Sequence, residues 1–270
     1  MKKIITIVIL LCAIATYGQG RIDGFYKGKN NGAVVLGLGF EDGKKYFAGG
    51  SGKLDLTRSV SYGNIFGAYG LTEDLDVNIS IPYIVSDDNA DFQDISVYLK
   101  YRLFQIQGEK GNFEISVAGG FSTNLTDYDL GGLNDIGQQA TILDGKGLIH
   151  YKWNSGWFAT AQSGFSFKVD PTPNSMPLTV KAGKATAKWY YDVYYDFQHS
   201  FGGIDYLGTP RPQDFREFGV DFQKTGGTVY HSLSDTFGIY ASLSYVFDGR
   251  NIFKGPGYGA GLVYNFSTKK

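Results

Sequence analysis

Three histidines, His150, His199 and His231, are the side chains best placed to move protons near neutral pH. A His and a Ser that work together on one strand must stand two residues apart, so that both side chains share a face. Here Ser200 follows His199 directly, on the opposite face, and Phe201 comes next. His231 is followed by Ser232 and Leu233, and His150 by Tyr151 and Lys152. None has the spacing, so the chain reads as non-enzymatic, with a barrel lipase as the remote alternative. No Gly-rich phosphate loop or zinc-spaced histidine cluster occurs, and neither a cofactor nor a metal is expected. Asp87, Asp88, Asn89 and Asp91, and then Asp127, Asp129, Asn134 and Asp135, could offer oxygens to calcium. They lack the full Asp-x-Asp-x-Asp-Gly spacing, and solvated loops are the expected role. Arg250-Asn251 could shape a turn as easily as touch a ligand.

Other chemistry-bearing residues sit inside alternating apolar stretches. Leu75 to Ile81 places an apolar residue at every odd position and a polar one at every even position. Ile95 to Leu103, Phe113 to Val117 and Trp189 to Gln198 repeat the pattern, which is that of half-buried strands. Twelve strands are expected, near 33–40, 54–69, 75–85, 93–106, 112–125, 139–152, 157–168, 177–183, 188–200, 214–231, 236–248 and 257–267. Links of four or five residues alternate with links of seven to thirteen, among them 41–53, 126–138, 201–213 and 249–256. Strands of ten or more residues suit a tilted bilayer crossing better than a soluble sandwich, whose strands average about five or six. The expected fold is all-β: a transmembrane antiparallel up-and-down barrel of about 12 strands. Trp153, Trp157 and Trp189 border short turns, as interfacial indoles should.

On that register Asp76, Lys100, Arg102, Glu114, Asp144, Lys146, Lys168, Lys181, Asp192, Asp196, Glu217 and Asp221 face inward, because charge facing lipid costs up to ~2–4 kcal/mol. Tyr98, Phe158, Tyr190, Tyr194 and Tyr240 join them. Such a wall either stiffens a filled interior or borders a path for amphipathic solutes. Asp76, Tyr98, Lys100, Arg102, Glu114, Tyr190, Asp192, Tyr194, Asp196 and Tyr240 are the expected pore-lining set.

The chain of 270 residues carries 25 Lys plus Arg against 26 Asp plus Glu, which excludes a polybasic nucleic-acid binder. Aromatics reach 16%, too many for a disordered chain. Lys2 and Lys3 followed by the apolar run Ile4 to Ala15 read as a cleaved signal peptide over 1–18, with the sole cysteine, Cys12, inside it. Residues 19–32 are then an N-terminal periplasmic or plug segment, 33–267 the outer-membrane barrel and 268–270 a tail. Gly70-Leu71-Thr72-Glu73-Asp74-Leu75, Ile81-Pro82-Tyr83, Lys100-Tyr101-Arg102-Leu103, Gly249-Arg250-Asn251 and Gly261-Leu262-Val263-Tyr264-Asn265-Phe266 carry a family likeness. Together they resemble outer-membrane transporter barrels of the phenol-degradation (meta-pathway) type, distantly like hydrocarbon and fatty-acid channels. Unlike barrels that end on an aromatic, this chain runs on from Phe266 through Ser267, Thr268, Lys269 and Lys270. The resemblance implies a channel in the outer membrane of a Gram-negative bacterium for passive uptake of small amphipathic or aromatic solutes. The alternative is a non-conducting structural or surface-binding barrel. Expected partners are membrane lipid and a small-molecule solute, and no nucleic acid. With long loops outside and both termini periplasmic, epitope tags at Asp129 and Gly208 should label on intact cells and one at Ser155 should not; the reverse labelling would invert the topology.

Overall fold

The computed structural model describes residues 22–87, 89–209, 212 and 215–269. The expected signal peptide, with Cys12, lies outside the described residues. Twelve long strands form the wall: β1 (Asn31–Gly43), β2 (Arg58–Gly70), β3 (Leu75–Ser86), β4 (Asp94–Gln107), β5 (Gly111–Asn124) and β6 (Ile142–Trp153) come first. β7 (Trp157–Lys168), β8 (Ser175–Ala185), β9 (Trp189–Ser200), β10 (Asp221–Ser232), β11 (Phe237–Arg250) and β12 (Ile252–Ser267) complete it. Each pairs antiparallel with its neighbours in chain order, and β1 pairs with β12 from Asn31↔Ser267 to Glu41↔Gly257. The sheet thus closes on itself. Short strands Lys45–Phe47 and Lys53–Leu54 extend the top of β12 as a hairpin, and Asn89–Phe92 pairs back onto β3.

Alternation sets the orientation of each side chain. β9 is the clearest case: Trp189, Tyr191 and Val193 are exposed outside, while Tyr190, Asp192, Tyr194 and Asp196 are buried within. β6 does the same from Ile142 to His150. The outward stripe includes Leu36, Leu38, Ile65, Leu99, Val193, Leu243 and Leu262, an apolar belt that the described residues leave exposed. Such a belt suits hydrocarbon, and only a closed sheet can sit there without unpaired backbone groups. Trp153, Trp157 and Trp189 end this belt at the rim of short turns, and Phe121, Phe167, Phe201 and Tyr258 lie outward towards the rim of long loops. Those two rows match the aromatic girdles of membrane barrels.

Several boundaries move from their expected places. β12 begins at Ile252 rather than 257, so the expected loop 249–256 shrinks to Asn251 alone, at φ 51. Asn is among the few residues that take this left-handed conformation at small cost. Gly255, Pro256 and Gly257 look like a turn in the sequence, but they lie in the ladder; a Cβ on Gly255 would strike the Asp42 carbonyl across the seam. β10 begins at Asp221 rather than 214. Residues 215–217 form a 3₁₀ turn, so Glu217 is a loop residue and not part of the inner wall. Asp221 sits at the loop rim, where its carboxylate accepts the Ser200 amide at 2.6 Å. A register shift between Arg102 and Phe104 marks a bulge at Leu103 in β4.

Leu99 is 51% exposed on the lipid face and Lys100 only 1% exposed inside. Leu99→Arg should therefore sharply reduce the folded, heat-modifiable band on gels, with a penalty of up to ~2–4 kcal/mol, far beyond that of Lys100→Leu. Equal yields of the two variants would refute this register.

Candidate functional site

Inside the barrel, the half nearer the turn rim is crowded with opposite charges. Lys100 Nζ lies 3.4 Å from Asp76 Oδ2, with both side chains 2% exposed. Arg102 reaches Asp74 at 2.7 Å and Glu114 at 3.2 Å; Lys181 lies 3.9 Å from Asp192. Higher up, Lys224 lies 4.0 Å from Asp196, and Asp144 accepts from the hydroxyls of Tyr98 and Ser166. A buried charge without a partner costs several kcal/mol, so each inward cation here needs an inward acid on a facing or adjacent strand.

The chain before β1 occupies the same space. Residues 22–30 enter from the turn rim and run up into the lumen. Lys100 donates to the carbonyls of Phe25 at 2.6 Å and Asp23 at 3.0 Å, and its ammonium lies 3.8 Å from the centre of the Tyr26 ring. Arg102 covers the same ring at 4.5 Å, and the Tyr26 hydroxyl donates to Ser116. On the far wall Lys181 binds the Asp23 carboxylate at 3.1 Å, and Gln162 accepts the Ile22 amide. The Lys27 amide donates to Asp76 at 3.1 Å. Phe25 packs edge-on against His150 and Phe158, within a cluster that includes Ala33, Val35, Tyr190, Tyr230, Tyr240 and Val263. Burying one such phenyl contributes about 1.5–3 kcal/mol. Gly24 passes so close to His150 and Thr160 that a Cβ would overlap both. The segment thus bridges β4 to β8 and fills the bore between them.

Above it, towards the loop rim, the lumen holds a cavity of about 360 Å³. Its walls include Tyr46, Arg58, Tyr62, Ile84, Lys168, Gln198, Phe222, Lys224 and Phe253. Its roof is built from loops. Residues 132–138 fold inward, where Gln138 Nε2 donates to the carbonyls of Phe215, Arg216 and Phe218. Tyr128, buried beneath the same loop, donates to Asp94 at 2.8 Å. Burial is the main cause that holds its phenol well above the ordinary range. Asp205 ties three loops together, accepting from the Gly50 amide and from Arg250, while Arg250 also donates to the carbonyls of Gly202 and Gly203. Partial burial alone would raise the Asp205 carboxyl, but the Gly50 amide and the Arg250 guanidinium outweigh it and hold it below the usual range.

The ten residues expected to line a pore are all on the inner face, yet none borders this cavity. Asp76, Lys100, Arg102, Glu114 and Asp192 lie in the paired network below it; Tyr98, Tyr190, Tyr194 and Tyr240 are buried, and Asp196 pairs with Lys224. The Tyr190 face is stacked on Phe158, so it is not open to solute. His150 points inward and bonds Thr160; His231 stacks on Trp189; His199 pairs with Asp221 at the loop rim. The sequence reading missed the cavity residues Arg58, Tyr62, Phe222 and Phe253. Alternation places Tyr62 and Phe222 on a strand face, but only the fold of the loops encloses them.

A closed twelve-stranded wall, an apolar belt and a charged, partly filled lumen define an outer-membrane β-barrel. Solved structures share this fold. An outer-membrane channel from Pseudomonas putida F1 superposes with a TM-score of 0.71 at 10% identity, over 92% of this chain and 100% of that one. The NanC porin gives 0.55 at 9% identity (86% and 98%), and the KdgM porin 0.54 at 8% identity (87% and 99%). No curated protein matches the chain in sequence. The chain belongs to the family described as "Putative MetA-pathway of phenol degradation", which matches residues 27–262.

The fit at Gly24 provides a direct test of the lumen segment. Gly24→Val should unseat it and raise single-channel conductance several-fold in planar bilayers, while the barrel keeps its heat-modifiable mobility. Unchanged conductance in a folded variant would show that the segment does not obstruct the bore.

Proposed function

We propose that this barrel is a passive channel for small amphipathic or aromatic solutes, entered from the long-loop side and released on the periplasmic side. The cavity carries this reading. It lies inside the barrel at one mouth, has mixed aromatic and charged walls, and falls within the ~300–1,000 Å³ range of small-molecule sites. Among the described residues its walls have no ring of single-sign charge; Arg58, Lys168 and Lys224 are interspersed with Glu41, Asp94 and Asp135. A ring of one sign is what gives strong ion selectivity, so weak selectivity is expected. The aromatic faces favour a flat apolar body over a sugar. Passage onward requires residues 22–30 to shift, since Phe25 and Tyr26 stand in the way. The two porins with this fold support a conducting role, and the family description supports aromatic compounds as the solute class.

The second reading, a non-conducting structural barrel, draws on the filled lower lumen. Proteoliposome uptake separates the two. With protein-free liposomes subtracted, an aromatic solute should enter faster than a sugar of equal mass, and removing residues 22–29 should speed both. Equal rates for both solutes would make the protein a general porin. No uptake by either form, with the barrel folded, would favour the structural reading.

A further inference from the structure

Lys168 differs from the other cations of the cavity wall: Lys224 pairs with Asp196, and Arg58 donates to Ser86 Oγ and the Asp135 carbonyl. Lys100, Arg102, Lys181 and Lys224 each have an acid within 4.0 Å. Lys168, the last residue of β7, is 8% exposed and lines the cavity, and among the described residues no carboxylate comes within ion-pairing distance of it. Asp144, the acid that acts on it, sits one step lower on the wall, where Tyr98 and Ser166 already donate to its carboxylate. The other cavity carboxylates are elsewhere engaged or across the bore. Tyr128 donates to Asp94, the amides of Gly131 and Gly132 donate to Asp135, and Glu41 lies on β1, paired with β2, the strand that starts at Arg58.

A charged group this deeply buried is stabilised by a counter-charge. A molecule entering the cavity can supply that charge, with its body against an apolar part of the wall that includes Tyr62, Ile84, Phe222 and Phe253. The one ammonium that Lys168 offers to the cavity matches one negative charge. An apolar cavity of about 150 Å³ already accepts a benzene ring, so 360 Å³ leaves room for a ring with a short chain.

We propose that Lys168 is the headgroup anchor of a site for amphipathic monocarboxylates, whose aromatic or alkyl body lies against Tyr62, Phe222 and Phe253. This rests on the uptake reading above and narrows its solute class from amphipathic molecules in general to organic acids.

The test is calorimetric titration of the full chain refolded into nanodiscs, with empty discs subtracted. Three probes are used: 4-phenylbutyrate, its neutral alcohol 4-phenylbutanol, and acetate. The acid should bind about tenfold or more tightly than the alcohol, as expected for a buried charged contact, and acetate more weakly than the acid. Lys168→Met should bring the acid down to the level of the alcohol without weakening the alcohol, and Lys168→Arg should keep the preference. Equal binding of acid and alcohol by the unaltered protein would overturn the anchor while leaving the uptake of amphipathic solutes intact, and this arm stands even if a variant fails to fold. Acetate binding as tightly as the acid would reduce the site to a simple anion site and overturn the proposal. Binding of neither aromatic probe would overturn both the anchor and the uptake reading.

Discussion

In hydrocarbon a backbone amide without a partner costs several kcal/mol, and that penalty governs this molecule. It is met by the seam between β1 and β12, where eleven residues of the first strand lie opposite eleven of the last. Without the seam the wall would have two bare edges facing lipid. Its closure sets the strand count, and the strand count sets the bore. Eight strands leave an interior that wall side chains can fill, and sixteen leave open water. Twelve leave a gap that wall side chains alone do not span, and residues 22–30 occupy one half of it.

The same absence of water shapes the interior chemistry. Lys100 illustrates this: one ammonium is matched by Asp76, two main-chain carbonyls and the face of Tyr26. Asp76 is fixed in the wall by alternation, and the other three partners belong to the inserted segment. Wall and insert therefore form one network, and neither is electrostatically complete without the other. Phe25 adds the apolar counterpart by closing a cluster drawn from β1 and from β7 to β12.

Much of the wall was legible because its code has a period of two. In β9 every second residue is polar or tyrosine, and a slip of one position would have put Asp192 and Asp196 in lipid. The legibility stops where the period stops. Gly255-Pro256-Gly257 has turn composition but pairs as strand, since close approach of the seam backbones requires glycine there. Residues 22–30 have no periodicity, so their hold on Lys100 and Lys181 was not legible. The cavity was hidden for a different reason. Its roof comes from stretches such as 132–138 and 215–218, whose positions depend on one glutamine side chain meeting three carbonyls more than seventy residues away.

The lumen segment is continuous with β1 at Asn30 and Asn31, whose amides bond Gly70 and Gly28 at the rim. It is therefore a tethered ligand of its own barrel. A group held on so short a leash meets its site at an effective concentration on the order of millimolar, however dilute the protein becomes. Any molecule that works its way past Phe25 must compete with that local concentration, and once it has gone the vacated space refills without a search. Dilution cannot open such a barrel; its balance shifts with the contacts that hold the segment, those of Lys100 and Lys181 among them.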